Sequence, residues 1–313
     1  MKILFFSNTL TYRGTSTAIW DYAVANQELL GNESVIGYDC QHPYEKDKGT
    51  EPDVLKRFQS SFEVRPMSLS NLDRDTADID LIYFLRSGAL EPIPTNCKSA
   101  IHAVFQYKQP YGDRFAYISE WLSRELSNHK IPFVPHIVNL PKPNLDLRRQ
   151  LGIPPQKKII GRIGGYDTFD IDFVKEQIKY IAQNDSGIVF LLANTRPFVI
   201  HDNIIYVDSI NDLQVKSNFI STCDMMLHAR QSGETFGLAL CESLFLNVPV
   251  ISYEGGIDRH HIDLLKNTNM LYSETTFLDV FYSCLETSPI CKQLVNKFTP
   301  AEVMKKFKTV FID

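Results

Sequence analysis

No stretch of the 313 residues approaches 18 uninterrupted apolar positions, so nothing reads as a membrane-spanning helix. The first residues, MKILFFSNTL, turn polar too early for a signal peptide and read as a first buried strand. Basic residues are in deficit, Lys+Arg 32 against Asp+Glu 37, for a formal net charge of −5. A nucleic-acid binder normally shows the opposite excess, and the same deficit removes any general attraction to anionic membranes. The 6 cysteines form no C-x-x-C pair and no framework spacing, which argues for reduced core residues in a cytoplasmic protein rather than a disulfide scaffold or a zinc site. No strand is followed by G-x-G-x-x-G with an acidic residue about twenty positions on, which counts against a dinucleotide enzyme. Sequence repeats at solenoid periods are absent as well.

What is present is enough apolar material for two cores, 44% of the chain. At this length two domains are the natural expectation. Strands are predicted at 2–6, 34–38, 81–84, 99–104, 116–118 and 133–138, with helices at 17–30, 53–60 and 120–128. The proline-rich, charged stretch 140–158 reads as an interdomain linker. The grammar then restarts, with strands at 158–163, 188–193, 204–207, 225–228 and 248–252. Helices are predicted at 170–183, 212–221 and 236–246, and a last amphipathic one at 300–311. Strands alternating with helices predict parallel sheets wound on both faces: two facing Rossmann-like domains around a central cleft. The expected boundaries are 1–145, 146–298 and a C-terminal helix at 299–313 that crosses back to the first domain. In such sheets ligands sit beyond the C-terminal strand ends at the topological switch point.

The richest segment runs from Met225 to Gly256, MMLHARQSGETFGLALCESLFLNVPVISYEGG. A strand enters a glycine-containing loop, a helix follows, and two glutamates stand eight positions apart. At helical rise that separation is about 12 Å along the axis, a span suited to the sugar and the ribose of one extended ligand. Between them the amides of Phe236, Gly237 and Leu238 are predicted to be free at a helix N-terminus, a ready place for a diphosphate.

This pattern resembles the E-x7-E segment of retaining glycosyltransferase family 4, whose members have the GT-B fold. The matching residues are Glu234, Phe236-Gly237-Leu238, Glu242, Pro249-Val250 and Gly255-Gly256. Thr235 and Asn247 depart from the family pattern, each standing where it has glycine. The run HARQSGETFGLAL is also similar to a subset of the family found in algal large DNA viruses.

The resemblance implies that Glu242 accepts from ribose hydroxyls, Glu234 holds a donor-sugar hydroxyl, and the amides after Glu234 cradle sugar and phosphate. It implies a phosphate role for Arg162, which follows Gly161 at the end of the first strand of the second half. It gives Gly14, in the loop opening the first helix, a part in donor binding, and His102 a place at the reaction centre. Asn194, after the strand at 188–193, is expected to border the base pocket. The lysine that the family places a few residues after its arginine is missing here; Arg196, Arg230 and Arg13 are the candidates to replace it.

No metal site is expected. No Asp-x-Asp stands at the end of a strand, and His260 and His261, adjacent on a helix, point apart. They read as a solvated helix start. His136 is a weaker candidate for the reaction centre. The expectation is a metal-independent, cofactor-free transferase moving sugar from a nucleotide diphosphate donor to a saccharide acceptor. Two readings stay open beside it: a nucleotide-sugar epimerase of similar shape, and a nucleotide-sugar-binding protein without catalysis.

Overall fold

The computed structural model describes residues 1–41, 49–208, 210 and 212–313. The chain divides into two compact units, Met1–Ile137 with Lys297–Asp313, and Val138–Asn296.

In the first unit the elements run β1 (Lys2–Ser7), α1 (Gly14–Leu30), β2 (Glu33–Asp39), α2 (Pro52–Gln59), β3 (Glu63–Met67), α3 (Leu72–Asp75), β4 (Leu81–Arg86), β5 (Lys98–Ala103), β6 (Arg114–Tyr117) and α4 (Glu120–Ser127). All the pairings are parallel and the sheet order is β3-β2-β1-β4-β5-β6. The central strands are near-continuous apolar runs because helices cover both faces. All six residues of β4, LIYFLR, are buried, its terminal arginine included.

The C-terminal segment completes this unit: α10 (Pro300–Phe307) continues into a π-helical turn, Lys308–Ile312. Phe307 packs 5.3 Å from the Tyr22 ring and 5.2 Å from Tyr83, and Phe311 packs 5.3 Å from His102. The expected return of the last helix to the N-terminal sheet is thus observed. The strand predicted at 133–138 is not: apart from one bridge to Tyr117 it is a buried connection. Pro135 interrupts it, and its carbonyls serve side chains, Pro135 accepting from Tyr22 Oη and Val134 from His102.

The second unit repeats the plan with β7 (Lys158–Arg162), α5 (Asp172–Asn184), β8 (Ile188–Ala193), β9 (Ile204–Val207), α6 (Leu213–Thr222), β10 (Met225–His228), β11 (Gly233–Glu234), α7 (Leu238–Phe245), β12 (Val250–Tyr253), β13 (Asp258–Arg259), α8 (His260–Leu265), β14 (Leu271–Tyr272) and α9 (Phe277–Thr287). The main sheet order, β14-β12-β10-β7-β8-β9, is the order of the first unit displaced along the chain; β11 and β13 form a separate short pair. In both units the order reverses beside the first strand, so the switch points lie between β1 and β4 and between β7 and β10. The stretch expected as a linker packs on the second unit. Asn144 and Leu145 donate their amides to Asn218 Oδ1, and Arg148 pairs with Asp224 at 2.7 Å.

No helix among the described residues is long and apolar enough to cross a membrane.

Candidate functional site

At the switch point of the second unit, β7 ends in Arg162 and β10 in His228, and the loops that follow carry most of the conspicuous polar side chains. β11 pairs in parallel with β13, Gly233 with Asp258 and Glu234 with Arg259, and this fastens the Glu234 loop to the Gly255-Gly256 turn. The fit is tight. Gly233 has φ +76°, and a β-carbon there would run into the Asp258 carbonyl.

Glu234 is held from two sides. His228 Nε2 lies 3.1 Å from Oε1 and Arg230 Nη1 donates to Oε2 at 2.9 Å. The His228 ring is fixed in turn by Ser252, whose hydroxyl is 2.8 Å from Nδ1. Burial works against ionisation of Glu234, but the hydrogen bond from His228 and the charges of His228 and Arg230 outweigh it and hold the carboxyl below its ordinary value. The Glu234 side chain keeps 18% exposure.

α7 starts at Leu238, with Gly237 as its N-cap at φ +79° and no side chain capping the helix. A β-carbon on Gly237 would lie 3.2 Å from Glu234 Cβ and Cγ. Phe236 is buried, its ring stacked 5.1 Å from His260 at 13°, and its carbonyl lies 2.7 Å from His260 Nδ1. The expected helix start at Phe236 is displaced by two residues because Phe236 points into the core and Gly237 makes the turn. Glu242, one helical turn and more further along, is 2% exposed and meets Lys216 of α6, whose Nζ lies 2.6 Å from Oε1.

Several expectations are corrected. Arg162 is not a free cation. It is 2% exposed, and Nη1 donates to the carbonyls of Ala193 at 2.9 Å and Asn194 at 2.6 Å and to Thr195 Oγ1 at 3.1 Å. Nη2 donates to the Gly165 carbonyl at 2.6 Å and Thr168 Oγ1 at 2.9 Å. Burial draws its pKa down to about 10 against the opposing charges of Asp170 and Glu234. Arg162 therefore ties the loop after β7 to the loop after β8, which includes Asn194 at φ 51°.

Gly161 is a packing glycine inside β7, since a β-carbon there would collide with Cys223 and Met226. His102 lies at 0% exposure in the core of the first unit. Its Nδ1 accepts from Tyr83 Oη at 2.6 Å and its Nε2 lies 2.7 Å from the Val134 carbonyl. Burial lowers its pKa to about 3, so it is a neutral core residue with both nitrogens used. His136 is likewise buried, 5.9 Å from the His102 ring. Gly14 opens α1 and is exposed.

His260 and His261 are buried rather than solvated. His261 Nδ1 accepts the Glu234 amide at 3.3 Å and Nε2 lies 3.0 Å from the Tyr253 carbonyl, so the ring is a neutral strut between the two turns. Among the described residues no three His, Cys, Asp or Glu side chains are grouped to hold a metal ion. The Asp170-Ile-Asp172 run after β7 is divided: Asp170 accepts the Gln231 amide at 2.7 Å, while Asp172 pairs with Lys175.

Sequence reasoning passed over three participants: Lys216, His228 and Ser252. His228 is the last residue of a strand aimed at the switch point, which could have signalled it. Lys216 has no local signal, for its partner lies 26 positions away.

No protein-family model matches the sequence, and no curated protein does. Solved structures do match. Anabaena Alr3699/HepE in complex with UDP-glucose is similar with a TM-score of 0.76 at 13% identity, over 99% of this chain and 98% of that one. A glycosyltransferase from Rickettsia africae gives 0.69 at 13% identity over 99% and 97%. WaaG, a glycosyltransferase involved in lipopolysaccharide biosynthesis, gives 0.63 at 11% over 99% and 100%. At such identities the likeness speaks for the fold: the chain has the GT-B architecture of these glycosyltransferases, two α/β units each built on a parallel six-stranded sheet.

Proposed function

We propose that this chain is a metal-independent retaining glycosyltransferase that takes a sugar from a nucleoside diphosphate donor held beyond β7 and β10 of the second unit. The acceptor is a saccharide hydroxyl. The observation that carries the reading is the pair of carboxylates astride the N-terminus of α7, Glu234 pinned by His228 and Arg230, Glu242 inside the helix. Alr3699/HepE, of the same fold, is described in complex with UDP-glucose.

In this reading Glu242, buried against Lys216, offers its second carboxylate oxygen to the ribose hydroxyls, and Glu234 accepts from a hydroxyl of the donor sugar. The amides of Phe236, Gly237 and Leu238 face the diphosphate, where the uncapped helix end favours negative charge. Arg162 acts as a positioning residue that shapes the loops bearing Asn194, since its guanidinium is already committed. Arg230, on the Glu234 loop with 29% side-chain exposure, supplies the charge that stabilises the departing diphosphate. The bond from C1 to the phosphate oxygen breaks and the acceptor oxygen bonds to C1 on the same face. The hydroxyl proton goes to the departing phosphate oxygen. Glu234 orients the sugar and forms no bond to it.

The test is thermal stabilisation by UDP, GDP, ADP and CMP and their sugar conjugates in EDTA, repeated on Glu242→Gln against that variant's own baseline. A ligand at a hundredfold excess over its dissociation constant adds about 2.7 kcal/mol to the folded state. One base that stabilises the wild type and not the variant supports the donor site; no response to any nucleotide removes it. The full commitment of Arg162 favours a second reading, a nucleotide-sugar-binding protein without catalysis. Stabilisation by a sugar nucleotide with no turnover, alone or with an acceptor, would decide for it.

A further inference from the structure

The sheet of the first unit has its own switch point, and β4 ends there in a buried arginine. Arg86 is 2% exposed, with its guanidinium 3.6 Å from the Phe84 ring and 5.6 Å from that of Phe6, the residue before the end of β1. Nη1 donates to the Pro92 carbonyl at 3.0 Å. Among the described residues, the buried Nε and Nη2 meet no acceptor in good hydrogen-bond geometry. Glu91 is the counter-charge, but its Oε2 stands 3.5 Å from Nε, beyond good hydrogen-bond length. The Tyr111 hydroxyl, which donates to the Ala89 carbonyl at 2.8 Å, keeps its oxygen within interaction range of the guanidinium and is a weak partner beside Glu91.

Aromatic faces stabilise the charge of a guanidinium without accepting its directional N–H bonds. A buried charged donor left unsatisfied is costly, and native structures seldom keep one without a use. Nε and Nη2 are the two nitrogens that together form the side-on fork for two oxygens of one carboxylate or phosphate. The fork lies where doubly wound sheets take their ligands, beyond the C-terminal strand ends at the reversal of order. The Glu91 side chain, 21% exposed, reaches the guanidinium from the protein surface, and Leu90, next to it in the chain, is 80% exposed.

We propose that Arg86 anchors an oxyanion site in the first unit, at the ends of β1 and β4, which takes the carboxylate or phosphate group of a small-molecule ligand in place of the Glu91 side chain. Glu91 compensates the buried charge when the site is empty and yields to an anion that pairs with both nitrogens. The site does not depend on what the second unit binds.

The experiment is calorimetric titration of inorganic phosphate and, separately, glucuronate into wild type, Glu91→Gln and Arg86→Gln at constant ionic strength, with UDP as a parallel ligand. Wild type is expected to saturate with one of the two anions. Removing the competing carboxylate in Glu91→Gln tightens that binding about threefold or more. Arg86→Gln weakens it about tenfold or more. Response to phosphate alone identifies a phosphate ligand, and response to glucuronate alone a carboxylate. The UDP response stays as in wild type throughout, so failure here is distinct from failure of the donor site. The proposal is overturned if neither anion saturates Glu91→Gln, or if Glu91→Gln binds no more tightly than wild type. Folded Arg86→Gln binding as wild type also overturns it; should that variant not fold, Glu91→Gln alone decides.

Discussion

Lys216 and Glu242 form a buried ion pair between α6 and α7, with Nζ 2.6 Å from Oε1 and side-chain exposures of 16% and 2%. Neither charge can be removed alone without leaving the other poorly solvated. Lys216→Met is therefore expected to cost about 3–5 kcal/mol of stability, whereas Lys216→Met with Glu242→Leu recovers most of it, because an apolar pair of similar volume replaces the ion pair. Urea unfolding of the wild type, both single variants and the double variant measures the coupling. A double variant no better than the worse single one would falsify the pairing.

Arg162→Lys keeps the charge and loses the fork. Five hydrogen bonds to Ala193, Asn194, Thr195, Gly165 and Thr168 cannot be made by one ammonium, so carbonyls at the ends of two loops lose their donor. The expected loss is about 2–3 kcal/mol, as for a hydrogen-bonded charged group. Amide exchange should also speed up at residues 163–168 and 194–196 while the core of β8 stays protected. Unchanged exchange in both loops would show that something else holds them.

Gly233→Ala tests the clamp beneath Glu234. The positive φ and the approach of the Asp258 carbonyl leave no space for a methyl group. Strain at such a position costs about 1–3 kcal/mol, and relief requires parting β11 from β13. The Glu234 amide then leaves His261. Thermal melting, together with the loss of protection of the Glu234 amide in hydrogen exchange, reads both effects; a variant that melts and exchanges like wild type excludes the clamp.

The sheets were readable because strands buried on both faces are continuous apolar runs, as in IVFLLA of β8. β3, EVRPM, was not predicted. It is the sheet edge, where a proline and charges are tolerated, and Arg65 spends its charge on Asp78 and Glu63. The apolar run at 133–138 misled for the converse reason: it is buried as a connection, with carbonyls answering Tyr22 and His102. The two glutamates of the candidate site follow from local spacing. Their tethers do not, because Lys216 and Ser252 reach the site only through the tertiary fold. Arg162 stood out in the sequence by its position after a strand, but whether its nitrogens were free was a matter of which carbonyls folded around it.

Acid should destabilise the protein well above the carboxylate range. His102 and His261 are held neutral, burial being the first cause, with pKa near 3 against an ordinary 6.5. The unfolded chain therefore binds protons at these positions between pH 6.5 and 3 that the folded chain refuses. Stability is complete above 6.5 and falls as pH drops, by about 1.4 kcal/mol per histidine for each pH unit in that window. Glu234, whose carboxyl is lowered from 4.5, adds its loss only below that value, so the range from 6.5 to 5 isolates the histidines. Urea midpoints at pH 7.5, 6.5, 5.5 and 5.0 should fall steadily over the last three, and a flat series would rule out buried neutral histidines.

The C-terminal turn of the first unit is held by rings. Phe307 packs on Phe5, Tyr22 and Tyr83, and Phe311 on Tyr83 and His102, all buried. Truncating either ring leaves a cavity in a rigid aromatic cluster whose members are fixed by hydrogen bonds, Tyr22 to Pro135 and Tyr83 to His102, and so cannot collapse into it. Phe307→Ala is expected to cost about 3–5 kcal/mol, and Phe307→Leu less than half of that. The loss should fall on the first unit: exchange protection drops in β1 and β4 while β7 and β8 keep theirs. An equal loss in both sheets would mean that the two units unfold as one, and a loss under about 1 kcal/mol would mean that the last turn contributes little to this core.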